Sequence, residues 1–361
     1  MLGKAAVGKR KVNIAVFGGS NSAMTPGYLS AVTEILTDVH QFDVKVANVS
    51  TGANTSAFGL LSMKMGREIE TNDVFIIEYG INDYELRRPD TWVFYCGIVE
   101  GMVREVLQRN HRAQVFIVHF GRRPRQTAVF HEKMLQFSLS LCDRYGVHTV
   151  PVDAYLKKTL QEDEFAGAYS DDMHYRRHLV TSFIGTYVAN FIAAALFSDT
   201  PPRHDAKAQS ALTFEDSVAL HAQDVLSGPP KTFENTRYLE QTITIASGKT
   251  VAFAAPGNLL LVRYVSSPAS CRVTISDNDG EGLTFDTLCK EVASGKFPFL
   301  VRSTAFSRRN WLGLSKGRKN EITIAALPKD SDRPLTVERG DMLAPTGTGD
   351  LAFHLSAILV C

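Results

Sequence analysis

The sequence lacks an excess of charge of either sign. Its 39 lysine and arginine residues are balanced by 38 aspartate and glutamate residues, which leaves a net charge of +1. Without a field of one sign, the chain has no electrostatic footprint for nucleic acid or for an anionic membrane surface. We therefore expect neither nucleic acid nor a membrane as a partner.

Cysteine is sparse and scattered. The five cysteines stand far apart, and none of them forms a CxxC pair or a zinc-like spacing with histidine. An odd number of widely spaced cysteines is typical of reduced thiols in a cytoplasm rather than of a disulfide framework. The spacing gives no reason to expect a metal site.

Long hydrophobic runs are missing as well. No run reaches the roughly 18 apolar residues that a membrane helix needs. The N-terminal stretch MLGKAAVGKRKVNIAVF carries basic residues but no apolar segment of signal-peptide length before its first predicted strand. The sequence thus predicts a soluble, cytoplasmic protein.

The first 200 residues alternate short apolar runs with segments of helical period. Strands that are apolar on both faces and alternate with helices indicate a parallel sheet covered on both sides. We therefore predict an α/β domain over residues 1–200. Its predicted strands are 12–17, 42–49, 73–80, 113–120 and 147–153.

The composition changes after residue 200. Residues 201–234 are polar and contain prolines, so we predict a linker. From 235 to 361 apolar residues recur with period two, and glycine, proline and Asn/Asp turns separate the runs. This pattern predicts an antiparallel β-sandwich or jelly-roll domain. Carbohydrate binding or assembly of a homo-oligomer is our hypothesis for this domain.

Chemically useful side chains fall where the predicted parallel strands end, which is where such sheets bind ligands. Ser20 follows the first strand, and His174 and Asp171 precede the last helix. A base that removes its proton makes a serine hydroxyl a nucleophile, and a carboxylate can orient that base. The backbone N–H groups of Ser20 and Gly52 and the amide of Asn82 are candidate donors to an oxyanion.

These segments resemble the sequence blocks of SGNH hydrolases, the GDSL esterase/lipase superfamily. FGGSNS matches the first block, NVSTGANTS the second, GIND the third and DDMH the fifth, in the family's order. The resemblance implies a flavodoxin-like three-layer α/β/α fold. It also implies Ser20, His174 and Asp171 as catalytic residues and Ser20, Gly52 and Asn82 as the oxyanion hole. The first block departs from the family, which usually has Asp before the serine and often has Leu after it.

Several residues offer alternatives within these blocks. Ser22 is a second hydroxyl, two residues further from the strand end, and Asp172 is an alternative orienting carboxylate. Asn82 belongs to a residue type that also holds turns. His174 is favoured over His178 because only His174 has an acidic residue three positions earlier.

Arginine and tyrosine residues surround these blocks. Arg122 and Arg123 follow the fourth strand, while Tyr84 and Tyr175 directly follow the third and fifth blocks. The arginines are either solvated loop charges or recognise an anionic substrate. The tyrosines either stack on a sugar ring or fill the loops.

The predicted function is that of a serine esterase. It removes small acyl groups, in the first place acetyl, from a carbohydrate or similar ester. The reaction passes through an acyl-enzyme and uses no cofactor. Two alternatives stay open. One is an O-acetyltransferase that moves the acyl group onto a polysaccharide or its precursor. The other is a non-catalytic carbohydrate-binding protein on the same scaffold.

Overall fold

The chain divides into two compact units, Met1–Glu215 and Asp216–Cys361. The computed structural model describes residues 9–83, 91–123, 128–198, 200–278, 282–307, 309–314, 319–337, 341–346 and 350–361.

A parallel sheet lies at the centre of the first unit. Its strands are β1 (Arg10–Gly18), β2 (Phe42–Asn48), β3 (Val74–Glu78), β4 (Gln114–Val118) and β5 (His148–Val150). Hydrogen bonding places them in the order β2-β1-β3-β4-β5, which is the flavodoxin-like order. The predicted α/β fold is therefore confirmed.

The sheet is apolar on both faces because helices cover both. Ile14, Ile76 and Val118 belong to one core cluster, and the intervening Ala15 and Phe75 are fully buried as well. A strand that is buried on both sides reads as a continuous apolar run, which is why these strands are recognisable in the sequence.

Helices connect the strands of the first unit. Helix α2 packs against α9, and α3 packs against α5. The helices are α1 (Ser20–Ala23), α2 (Tyr28–Asp38), α3 (Ser56–Met65), α4 (Glu68–Thr71), α5 (Trp92–Arg109), α6 (Ala128–Tyr145), α7 (Val152–Thr159), α8 (Glu162–Gly167) and α9 (Leu179–Ser198).

Helix α9 differs from the expectation that no segment reaches membrane length. Its 20 residues are long and apolar enough to cross a membrane, with a mean hydropathy of 1.7. Thr181 and Asn190 interrupt the apolar run, which is why a search for uninterrupted runs misses it. Half of the helix is buried, and Ile184, Val188 and Ile192 lie in the core of the unit.

The predicted linker, residues 201–234, contains structured segments. Its first part, through Glu215, belongs to the first unit, and Glu215 accepts a hydrogen bond of 2.5 Å from Arg104 Nε on α5. A Cβ on Gly101 would lie 2.0 Å from the carbonyl oxygen of Thr213, so the glycine allows this segment to approach the helix. The ring of Phe214 also packs against that of Phe94 on α5, with ring centres 5.5 Å apart, so an apolar contact accompanies the ion pair and the main-chain contact.

The second unit consists mainly of antiparallel strands, and its first two, β6 and β7, fall inside the predicted linker. Its elements are β6 (Val218–His221), α10 (Ala222–Val225), β7 (Pro230–Glu234), β8 (Leu239–Ala246), β9 (Thr250–Ala255), β10 (Leu259–Ser266), β11 (Arg272–Ser276), β12 (Leu283–Asp286), β13 (Leu288–Cys289), α11 (Lys290–Ala293), β14 (Leu300–Ala305), a 3-10 helix (Trp311–Gly313), β15 (Asn320–Ala326), β16 (Met342–Leu343) and β17 (Ala352–Val360).

Two main sheets form this unit in the described part of the chain. The larger has the order β14-β10-β17-β8-β7, with β6 also paired to β17, and the smaller has the order β12-β11-β15-β9. In β15, Asn320, Ile322, Ile324 and Ala326 are buried while the residues between them are more exposed, as period two requires. Strand β17 is buried along its whole length in the middle of its sheet. The predicted antiparallel β domain is confirmed.

A buried ion pair lies in the second unit. Arg309 Nη1 is 2.6 Å from Asp277 Oδ2, and the two side chains are 1% and 0% exposed. The guanidinium group of Arg309 lies 5.6 Å from the ring centres of Phe306 and Trp311. Two charges removed from water in this way depend on each other for compensation.

We predict that Asp277→Asn lowers the free energy of unfolding of the second unit by about 3–5 kcal/mol, because it leaves a buried cation without its counter-charge. Urea denaturation followed by tryptophan fluorescence measures this change when both proteins also carry Trp92→Phe, which leaves Trp311 as the only tryptophan of the sequence. The exposed change Glu234→Gln is the control and should stay within about 0.5 kcal/mol of the wild type. An unchanged midpoint for Asp277→Asn would contradict the prediction.

Candidate active site

Ser20 begins helix α1 at the carboxyl end of β1. Gly19, the residue before the helix, is extended, with φ −87° and ψ −154°. Because Gly19 has no side chain, the amide of Asn82 packs directly on its main chain. A Cβ on Gly19 would lie 2.0 Å from Asn82 Oδ1. The missing side chain therefore lets Asn82 come close to Ser20.

The predicted catalytic residues form one hydrogen-bonded chain. His174 Nε2 lies 2.7 Å from Ser20 Oγ. On the other side of the ring, His174 Nδ1 lies 2.7 Å from Asp171 Oδ2 and 2.9 Å from Asp171 Oδ1. The structure thus brings together a hydroxyl, an imidazole and a carboxylate in the order that acyl transfer by a serine requires.

Asp171 is held as a carboxylate. Its Oδ1 accepts hydrogen bonds of 2.8 Å from the main-chain N–H groups of Met173 and His174. Partial burial raises the pKa of Asp171. The hydrogen bonds from these amides and the His174 ring lower it by more, so the pKa of Asp171 lies below its usual value. An ionised Asp171 makes Nδ1 of His174 the donor and leaves Nε2 to accept a proton from Ser20.

Three candidate oxyanion donors belong to Ser20 itself, to Gly52 and to Asn82. Gly52 faces Ser20 closely, since a Cβ on Gly52 would lie 3.6 Å from Ser20 Cβ. Among the residues that the structure describes, Ser20 N, Gly52 N and Asn82 Nδ2 have no acceptor. Unused donors beside a nucleophile can bind an oxygen on which negative charge develops. Their role in an oxyanion hole stays a prediction.

The alternative residues from the sequence lie elsewhere. The hydroxyl of Ser22 is buried, 2.8 Å from Glu78 Oε2 and 2.9 Å from the Tyr28 hydroxyl. Asp172 is exposed, and the carboxylate on the His174 ring is that of Asp171. His178 is exposed and has a positive φ of 64°. The geometry therefore favours the first choice at each position.

Tyr175 does not occupy the exposed position that stacking on a sugar ring requires. It is 1% exposed, its ring stacks on Tyr169 at 4.6 Å, and its hydroxyl accepts a hydrogen bond of 3.0 Å from Gly121 N. The prediction that it binds a sugar is wrong, and the alternative that it fills the loop is the one that fits. The hydroxyl of Tyr175 links the segment that carries His174 to Gly121.

Of the other predicted substrate-binding residues, the structure describes Arg122 and Arg123 but not Tyr84. Arg122 is half-buried and Arg123 is exposed, both just after β4. The main-chain N–H of Arg123 donates to the carbonyl oxygen of Asp172 at 3.0 Å, which brings Arg123 next to the segment of His174. Tyr84 lies outside the described residues. A role of the arginines in binding an anionic substrate stays a prediction.

Glu78 is a residue of the site that sequence reasoning missed. It ends β3, is fully buried and accepts a hydrogen bond from Ser22 through its side chain and one from Gly19, at 2.9 Å, through its main-chain oxygen. Burial raises the pKa of Glu78 to about 8, and the nearby Asp83 acts in the same direction. The available signal was a carboxylate in a strand, VFIIE, that is otherwise wholly apolar.

We predict that Glu78→Gln gains stability over the wild type as the pH rises from about 4.5 to about 8. The pKa of Glu78 is about 8 in the folded chain, above its ordinary value of 4.5. In this window the folded state binds more protons than the unfolded state, so the contribution of Glu78 to stability falls with pH. The difference between the two proteins should change by on the order of 4 kcal/mol.

Urea denaturation of both proteins at several pH values between 4.5 and 8 measures this difference. Glu162→Gln, an exposed position on α8, is the control and should show no trend with pH. A constant difference between Glu78→Gln and the wild type would contradict the prediction.

The chain resembles solved structures. No family model matches the sequence, and the comparison with curated proteins finds no match. A two-domain esterase (CEX) active on acetylated mannans, co-crystallised with mannopentaose, is 16% identical. The match covers 97% of this chain and 90% of that chain, with a TM-score of 0.66. A second crystal structure of a two-domain esterase (CEX) active on acetylated mannans matches 98% of this chain and 91% of its own at 16% identity and a TM-score of 0.65.

Over the first half of the chain there are further matches. A lipase/acylhydrolase from Enterococcus faecalis is 20% identical and covers 51% of this chain and 96% of its own, with a TM-score of 0.43. The two-domain matches extend through the second unit as well. The chain therefore shares the fold of these two-domain structures, a parallel α/β domain followed by an antiparallel β domain.

Proposed function

We propose that this protein is a carbohydrate esterase that removes acetyl groups from a polysaccharide through an acyl-enzyme. The observation that carries the proposal is the hydrogen bond of 2.7 Å between His174 Nε2 and Ser20 Oγ, with Asp171 on the opposite ring nitrogen. The class of substrate is supported by the fold, which is shared with an esterase active on acetylated mannans.

The residues have distinct roles in this mechanism. Ser20 Oγ attacks the ester carbonyl carbon while His174 Nε2 takes its proton, and Asp171 stabilises the resulting imidazolium. The N–H groups of Ser20 and Gly52 and the Asn82 amide bind the oxyanion. When the tetrahedral intermediate collapses, the carbon–oxygen bond to the sugar breaks and His174 protonates the departing sugar oxygen, which leaves as a hydroxyl group.

Water completes the reaction. It attacks the acetyl-enzyme while His174 takes one of its protons, and the second tetrahedral intermediate releases acetate as His174 returns a proton to Ser20. The side chains of His174 and Asp171 are 26% and 56% exposed, so solvent reaches the base from the open side. This exposure favours hydrolysis over transfer of the acetyl group to a sugar hydroxyl, which would need water to be excluded.

Acyl transfer is tested directly with p-nitrophenyl acetate as donor, with and without a glycan acceptor. Hydrolysis should dominate in both reactions. Acetylated glycan formed faster than free acetate would identify an O-acetyltransferase instead.

Replacing the nucleophile tests the proposal. We predict that Ser20→Ala lowers the rate of acetate release from p-nitrophenyl acetate and from acetylated mannan by about 10³-fold or more, because no other group can form the acyl-enzyme. A fluorophosphonate probe should label the wild type and not Ser20→Ala. Ser22→Ala removes a hydroxyl two residues away that does not reach His174, and the probe should still label it.

A wild-type protein that neither hydrolyses these esters nor reacts with the probe would overturn the enzymatic proposal. That result would favour a non-catalytic carbohydrate-binding protein.

A second prediction concerns the close approach of Gly19 and Asn82. Gly19→Ala places a methyl group 2.0 Å from the position that Asn82 Oδ1 occupies in the wild type, so the amide has to move. Loss of one oxyanion donor costs about 10²–10³ in kcat, and we expect a decrease of about that size with little change in KM. Gly52→Ala is the steric comparison. Its Cβ stays 3.6 Å from Ser20 Cβ and its N–H remains, so the decrease should be smaller.

Initial rates with p-nitrophenyl acetate over a range of concentrations separate kcat from KM for both variants. Wild-type kcat in Gly19→Ala would contradict the assignment of Asn82 as a donor.

A further inference from the structure

Asn21, the residue after Ser20, connects helix α1 to the segment that carries His174. Its side chain is 3% exposed, and Nδ2 donates a hydrogen bond of 2.9 Å to the carbonyl oxygen of Met173. Its Oδ1 has no hydrogen-bond partner among the described residues. The opposite orientation of the amide would set Oδ1 against the Met173 carbonyl, and two acceptors repel each other.

This hydrogen bond lies one residue away from each of two reacting side chains. Asn21 follows Ser20, and Met173 precedes His174. The other direct hydrogen bond between these two segments in the described structure joins the Ser20 hydroxyl to His174 Nε2. That bond breaks and re-forms as the proton moves, so it cannot hold the segments in place throughout the reaction. The bond made by Asn21 involves no group that changes protonation state.

The segment that carries His174, residues 168–178, is exposed at residues 170–173 and 176–178. Its other anchors are on the segments that follow β4 and β5: Arg123 N donates to Asp172 O, Gly121 N donates to the Tyr175 hydroxyl, and the Tyr169 hydroxyl donates to Asp153 Oδ1 at 3.2 Å. The exposed residues 170–173, between the buried Tyr169 and Tyr175, open at a lower cost in free energy than these two tyrosines. A buried hydrogen bond on the side of Ser20 is therefore well placed to limit such opening.

We propose that Asn21 is a positioning residue, which holds His174 at proton-transfer distance from Ser20 through the main-chain carbonyl of Met173. The proposal rests on the proposed esterase function. A displacement of about 1 Å between reacting groups costs about 10²-fold in rate, so loss of this hydrogen bond lowers kcat. KM changes little, because the bond contacts no part of the ester in the mechanism above.

The test uses two variants and a matched control in the full-length protein. Asn21→Leu is nearly equal in size and removes the donor, and Asn21→Ser is smaller and too short to reach Met173. The control is Asn72→Leu, the same substitution at another buried asparagine. Asn72 Nδ2 donates to the main-chain carbonyl of Glu68 at 2.7 Å, just before the amino end of β3.

Two measurements are made on each protein. The first is kcat and KM for p-nitrophenyl acetate, and the second is amide hydrogen exchange, followed by mass spectrometry, in peptides that cover residues 168–178. We expect both Asn21 variants to lower kcat by about 10- to 100-fold with KM within about twofold. Exchange in these peptides should be faster than in the wild type. Asn72→Leu should change neither quantity.

The outcomes separate the two proposals. A folded Asn21→Leu or Asn21→Ser with wild-type kcat, or with unchanged exchange over residues 168–178, would overturn the role of Asn21. A wild type without esterase activity or fluorophosphonate labelling would overturn the proposed function. In that case faster exchange in the variants would still support the link between Asn21 and Met173.

Discussion

The hydrogen bond between Ser20 and His174 depends on the parallel arrangement of the strands in the first unit. The strands of the first unit all run in one direction because apolar side chains on both faces of the sheet have to be covered by helices. Their carboxyl ends therefore meet at one edge. Segments separated by 154 positions in the chain come within 2.7 Å there, and Asp171 completes the arrangement from the same segment as His174.

Close packing around Ser20 then decides which chemistry the edge can perform. Gly19 leaves room for the amide of Asn82, and a Cβ on the neighbouring Gly18 would lie 2.6 Å from Ser22 Oγ. Ser22 in turn bonds to the buried carboxyl of Glu78. The buried groups that contact the short helix are therefore neutral, since Glu78 is mostly protonated at neutral pH. The donors beside Ser20 have no intramolecular acceptor among the described residues.

Much of this could be predicted from the sequence, for physical reasons. Strands buried on both faces are visible as apolar runs, and the residues at their ends are brought together by topology alone. The sequence could not reveal that Tyr175 is buried, because a tyrosine suits both a core and a sugar site. It also did not reveal that the segment near Glu215 docks on α5, because the buried Phe214 stands in a segment that is otherwise mostly polar. Glu78 was overlooked because burial, not sequence, determines its protonation.

The central position of β17 has a consequence for how the second unit is made. This strand pairs with β10, β8 and β6 and is the last of the unit in chain order. While the ribosome is still synthesising it, the partner strands have emerged with their inner edges unpaired, and exposed strand edges attract other chains. The α/β unit, by contrast, is complete before this point. The larger sheet of the second unit can therefore close only when this strand is available, whereas all strands of the α/β unit precede it in the chain.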